Sequence, residues 1–97
     1  MSNQPTAADK RRFSKLVEVG CVACKLEGMV YTYPQIHHAR IGTSRRDHQR
    51  TFGVCGIHHL ATSAVPGIPN RHGSPKDFRE TYGTDDELLT YVNGLIK

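Results

Sequence analysis

Apolar side chains at helical spacing predict a helix near the start of the chain. The segment Thr6-Ala7-Ala8-Asp9 has the form of a capping box, in which the first and fourth residues satisfy each other's backbone N–H groups. Apolar residues then recur at helical intervals: Phe13, Leu16 and Val17. Gly20 offers a stop, so we predict a first helix over about residues 7–19.

Two further helices are predicted toward the end of the chain. Ser74-Pro75-Lys76-Asp77 reads as a second capping box, with Pro where a helix accepts it as first residue, and Gly83 closes the helix. Thr84-Asp85-Asp86-Glu87 reads as a third box, with acids that favour a helix N-terminus. These helices carry the aromatic and aliphatic residues that we expect in the core: Phe78, Tyr82, Leu88, Leu89, Tyr91, Val92 and Leu95.

The middle of the chain has strand character instead. Residues 29–41 are rich in Val, Tyr, Thr and Ile, with Pro34 marking an edge, a bend or a break. Residues 51–55 form a second short strand, so we predict a hairpin joined by the polar loop 42–50. Residues 60–64 favour a short helix after it.

Length and composition indicate one small domain that needs a cross-link, such as a disulfide or a structural metal, to stabilise its fold. The chain has 97 residues, of which 37% are hydrophobic, and no Trp, which is near the size where an apolar core alone is marginal. Three cysteines cannot pair fully as disulfides, and no segment resembles a secretory leader or a membrane span. We expect a reducing cytoplasm and thiolates that bind metal.

Two short cysteine-containing turns suggest where that metal binds. Cys21 and Cys24 form C-x2-C, Cys55 and His58 form C-x2-H, and 30 residues separate the two pairs. Zinc prefers four tetrahedral nitrogen or sulfur ligands, and such turns present two ligands each. The sequence predicts a closed, structural Cys3His zinc site; the alternative is three buried thiols beside a coincidental histidine.

Histidines that the zinc site does not use point to a second function. Phosphodiester hydrolysis needs a base that activates water and a cation that stabilises the leaving oxygen. A histidine on a strand, faced by ligands from a following helix, meets both needs. Four of the five histidines outside the zinc site are candidates for these roles: His37, His38, His59 and His72. The alternative is that they cap, pack or hydrogen-bond.

Arginines cluster beside the histidine doublet. Four of them fall within eleven residues: Arg40, Arg45, Arg46 and Arg50. The planar guanidinium suits phosphate oxygens, so these residues are candidates for gripping a nucleic-acid backbone. The net charge of +4 is modest, and a solvated loop that keeps a small protein soluble is the alternative.

The order C-x2-C, then His-His, then C-x2-His-His resembles the zinc-stapled HNH (ββα-metal) endonucleases. Within them, three elements are similar to the phage recombination-enhancement (Ref-type) nucleases: residues 36–42, residues 54–59, and His72-Gly73 followed by Phe78 and Tyr82-Gly83. The resemblance implies an α+β fold with a ββα-metal (His-Me finger) core, one structural zinc and flanking helices. It further implies a single domain over residues 1–97, with a loose N-terminus at 1–6, the stapled core at about 20–64 and C-terminal helices at about 74–96.

The resemblance also implies a role for each histidine. His38, the second residue of the doublet, matches the catalytic base. His37, His59 and His72 match ligands of a catalytic Mg²⁺ or Mn²⁺. His48 is the candidate by type for the residue that orients the base. Adjacent strand residues point to opposite faces, so His37 and His38 share a site only if the strand ends or twists there.

We therefore predict a metal-dependent endonuclease that hydrolyses DNA with little sequence preference, because the arginines contact phosphates rather than bases. The resemblance implies a phage or prophage origin and the cytoplasm of a bacterial host. The implied partners are DNA and a recombination or replication protein, and no membrane is involved. The alternative is a zinc-stapled DNA-binding module without catalysis. A third reading is a zinc module that binds proteins.

Overall fold

Helix α1 (Ala7–Val19) opens the fold in the computed structural model, which describes residues 4–39 and 47–96. The Thr6 hydroxyl accepts a hydrogen bond from the Asp9 N–H, and the Asp9 carboxylate accepts one from the Thr6 N–H. The predicted capping box and helix bounds are therefore confirmed. The helix ends at Gly20, whose φ of 86° is a conformation that other residues rarely adopt.

A five-residue helix, α2 (Val22–Leu26), follows directly. Its N-cap is Cys21, whose sulfur accepts a hydrogen bond from the Cys24 N–H. The first cysteine pair is thus held in one tight turn, and both cysteines are buried.

The predicted hairpin is present but shorter than the sequence indicated. Strands β1 (Gln35–His38) and β2 (Thr51–Val54) pair antiparallel. Residues 29–34 form no strand, because proline cannot donate to a ladder and Pro34 instead packs onto β2. A Cβ on Gly53 would lie 2.6 Å from the Pro34 Cβ, so this close approach requires glycine.

The short helix predicted over residues 60–64 is present as a 3₁₀ turn, and an α-helix precedes it. Helix α3 (Gly56–His59) begins immediately after β2, and a 3₁₀ turn (Ala61–Ser63) follows it. Leu60 between them is extended, and its carbonyl accepts a hydrogen bond from the Asn70 amide.

Helices α4 (Pro75–Tyr82) and α5 (Asp85–Leu95) complete the fold. The capping box at Thr84 is confirmed, since its hydroxyl accepts from the Glu87 N–H and the Glu87 carboxylate accepts from the Thr84 N–H. The box predicted at Ser74 is wrong. Its hydroxyl accepts from the Asn70 N–H and makes no capping bond to α4, although Pro75 does occupy the first helical position.

The core gathers under the hairpin. Its largest fully buried apolar side chains come from β2 and the flanking helices: Leu16, Val22, Phe52, Val54, Phe78, Leu88 and Val92. Buried Arg12 crosses this region, donating to Thr51 on β2 and to Asn93 on α5. The chain is thus a small α+β fold, and no helix among the described residues has the length and apolar character needed to cross a membrane.

Candidate functional site

The four residues predicted to bind zinc lie together. The sulfurs of Cys24 and Cys55 are 3.8 Å apart. His58 Nδ1 lies 3.8 Å from the Cys21 sulfur, 3.5 Å from that of Cys24 and 3.1 Å from that of Cys55. Tetrahedral zinc with Zn–S of about 2.3 Å and Zn–N of about 2.0 Å places two sulfurs about 3.8 Å apart, and a sulfur and a nitrogen about 3.5 Å apart. The cluster could therefore hold zinc.

The far side of the His58 ring is fixed by other side chains. His58 Nε2 lies 3.2 Å from Glu27 Oε1 and 3.2 Å from the Tyr82 hydroxyl. A carboxylate that accepts the Nε2 proton leaves the Nδ1 lone pair directed at the sulfurs, as in many zinc sites. Burial raises the pKa of the Cys21 thiol to about 12, so a metal ion bound there would displace its proton.

Three histidines from separate segments form a second cluster. His37 lies on β1, His59 on α3 and His72 in the turn before α4, and their ligand nitrogens lie within 4.8 Å of one another. A loop that contains two prolines, Pro66 and Pro69, precedes His72. The His72 N–H donates to the His59 carbonyl, and the Arg71 N–H donates to the His58 carbonyl, so the turn is fastened along α3.

Asn70 fastens the same turn with its side chain. Its Oδ1 accepts from the N–H groups of His72 and Gly73. Its Nδ2 donates to the carbonyls of Ile57 and Leu60 at the end of α3. Asn70 is 1% exposed, so its side chain makes these hydrogen bonds in the protein interior. It therefore adds to the backbone hydrogen bonds that hold His72 beside His59.

The histidine cluster has the properties of a cation site. His37 Nε2 is buried and makes no hydrogen bond within the described part of the chain, which is costly unless a ligand satisfies it. Burial, with the charges of His37, His72 and Arg71, lowers the pKa of His59 to about 4. Burial also lowers the pKa of His72. Neutral imidazoles offer lone pairs, so these residues fit a divalent cation.

An ion pair that the sequence pattern did not predict borders this cluster. Arg71 Nε and Nη2 donate to the two carboxylate oxygens of Asp85, both at 3.0 Å. Asp85 Oδ2 also lies 3.5 Å from His37 Nε2. Burial alone would raise the pKa of Asp85, but the nearby His37 ring, the hydrogen bonds from Arg71 and the Arg71 charge outweigh it and hold that pKa well below its usual range. A carboxylate therefore faces the cluster at neutral pH.

The cluster opens into a cleft that His38 also borders. The cleft has a volume of about 490 Å³ and is lined by seven residues: Ile36, His37, His38, His59, Arg71, His72 and Asp85. Strand β1 ends at His38, so the two adjacent histidines can border one cleft although their rings have different neighbours.

His48 contacts His38 directly. His48 Nδ1 lies 3.0 Å from His38 Nε2, and Phe13 of α1 packs edge-on against both rings. The residue proposed by type as an orienting group is thus in contact with the candidate base. Helix α1 supports the pair from behind.

A family model described as recombination enhancement, RecA-dependent nuclease matches residues 5–97. The chain belongs to this family. Membership in a RecA-dependent nuclease family implies that the chain binds DNA and acts as a nuclease. The resemblance drawn from the cysteine and histidine order is therefore confirmed at the level of the family.

In this recombination-enhancement nuclease, Arg50 is the member of the arginine cluster that lies among the described residues. Arg40, Arg45 and Arg46 lie outside the described residues. Arg50 donates to the Ala39 carbonyl and pairs with Asp86, whose side chain is 82% exposed. Exposed ion pairs of this kind contribute little to stability.

Proposed function

We propose that the chain is an HNH-type, metal-dependent endonuclease that hydrolyses DNA phosphodiester bonds, with β1, β2 and α3 as its ββα-metal core. The observation that carries the proposal is the convergence of His37, His59 and His72 beside His38. A merely structural role for these histidines would not explain a buried, unsatisfied His37 nitrogen facing the cluster.

Each histidine has a distinct role in this proposal. His37, His59 and His72 would hold Mg²⁺ or Mn²⁺. That cation would supply positive charge to stabilise the leaving 3′ oxygen. His38 would accept a proton from the attacking water. His48 Nδ1, accepting a hydrogen bond from His38 Nε2–H, would orient the ring and favour its protonated form.

Substrate binding would rest on phosphate contacts. We assign these to Arg40, Arg45, Arg46 and Arg50. Such contacts carry no base information, so little sequence preference and a strong salt dependence are expected. The family description leads us to propose a RecA-type recombination protein as partner, in a bacterial cytoplasm. The Cys3His quartet would hold zinc in a structural role only, since all four of its ligands come from the protein.

Replacing His38 with alanine tests the proposal. The assay is nicking of plasmid and single-stranded DNA with Mg²⁺ or Mn²⁺, each with and without a RecA filament. Nicking by the His38→Ala variant should fall by at least about 100-fold, the usual contribution of a general base. Zinc content and DNA affinity should remain unchanged and serve as controls for folding. If the native chain binds DNA but cleaves it with no divalent cation, the non-catalytic DNA-binding module is correct instead.

A further inference from the structure

Gln35 makes a contact that the proposed roles do not use. It is the first residue of β1 and lies two residues before His37, so the two side chains leave the same face of the strand. Its Oε1 lies 2.8 Å from His59 Nδ1 on α3. The strand therefore contributes to the histidine cluster twice, through the ring of His37 and through this amide.

The chemistry of this contact decides which nitrogen of His59 can bind a cation. A neutral imidazole has one N–H donor and one acceptor nitrogen. An amide oxygen can only accept, so the proton of His59 is held on Nδ1 and the lone pair is left on Nε2. A histidine that binds a metal ion does so as the neutral imidazole, so the position of this one proton decides which nitrogen is free.

We infer that Gln35 is a positioning residue, which fixes the tautomer of His59 and so presents its Nε2 lone pair to a divalent cation held with His37 and His72. The inference rests on the proposed cation site and adds a residue to it. Partners of this kind around metal-bound histidines change metal affinity by about 10–100-fold when removed.

Two substitutions at this exposed position separate the inference from a loss of folding. Gln35→Leu keeps the approximate size but removes the acceptor. Gln35→Glu restores an acceptor and strengthens it with a charge. The zinc-loaded proteins would be compared by long-range ¹H–¹⁵N NMR, which reports the protonated nitrogen of His59, and by Mn²⁺ titration followed through the EPR signal of the unbound ion.

The expected result is an Nδ1–H tautomer of His59 in the native chain and in Gln35→Glu, and its loss in Gln35→Leu. Mn²⁺ affinity should fall about 10–100-fold in Gln35→Leu and be retained in Gln35→Glu. Gln49→Leu is the matched control for Mn²⁺ binding, since the Gln49 side chain donates to Asp9 on α1.

Two results would overturn the inference. One is a native His59 protonated on Nε2; the other is unchanged Mn²⁺ affinity in Gln35→Leu. In either case the cation site itself would stand, provided that the native chain binds Mn²⁺. If the zinc-loaded native chain takes up no Mn²⁺, the cation site of the proposed function fails together with the inference.

Discussion

Replacing Asn70 with alanine is expected to release the turn that brings His72 to the cleft. The Asn70 side chain makes four hydrogen bonds, two through Oδ1 and two through Nδ2. They connect the end of α3 to the backbone of the turn. Alanine removes all four and leaves the carbonyls of Ile57 and Leu60 without these donors.

The size of the effect follows from these contacts. A hydrogen bond contributes about 1 kcal/mol net, so four would amount to about 4 kcal/mol. His72 and Gly73 are exposed, and water can replace Oδ1 at their N–H groups. We therefore expect the free energy of unfolding to fall by about 2–4 kcal/mol. Mn²⁺ affinity of the cleft should fall as well, because His72 is no longer held beside His59.

Urea unfolding of the zinc-loaded protein, followed by circular dichroism, measures the first effect. The midpoint should decrease with little change in slope. Thr90→Ala is a suitable control, since its hydroxyl bond to the Asp86 carbonyl is exposed and its loss should cost at most about 0.5 kcal/mol. If the free energy of unfolding of Asn70→Ala lies within about 0.5 kcal/mol of that of the native chain, the Asn70 hydrogen bonds do not stabilise the turn and the reasoning is wrong.

Two other perturbations test which interactions stabilise the fold around the site. Arg12→Lys should lower the free energy of unfolding by about 1.5–3 kcal/mol, because lysine cannot reproduce the paired donation to the Thr51 hydroxyl and carbonyl; an unchanged urea midpoint would contradict this. Removing zinc with a strong chelator should abolish the native circular dichroism spectrum, because a chain with so small a core depends on its metal staple. Retention of cooperative unfolding by the zinc-free protein would show that the quartet is not needed for the fold.

Much of the helical structure and the membership of the zinc quartet could be predicted from short patterns. Thr6 with Asp9 and Thr84 with Glu87 satisfy one another across three residues, so the helix starts are local properties. The spacing of Cys21 with Cys24 and of Cys55 with His58 likewise puts two ligands in one turn. The alternation of a strand could have identified Gln35 as sharing a face with His37.

The histidine cleft, by contrast, depends on contacts between distant segments. The box predicted at Ser74 is wrong because the serine hydroxyl accepts from the Asn70 N–H, and the side chain of the same asparagine donates to the Leu60 carbonyl after α3. The pairing of Arg71 with Asp85 and its approach to His37 join residues that no periodicity relates.

By itself the sequence determined which residues have the chemistry for metal binding and where most of the helices begin. Those properties depend on residue type and on hydrogen bonds that span three or four positions. Only the tertiary structure decided that His37, His59 and His72 meet, because their meeting requires the hairpin, α3 and the Asn70 turn to be packed together. Such packing is set by buried contacts across the whole fold, and their partners cannot be read from neighbouring positions in the chain.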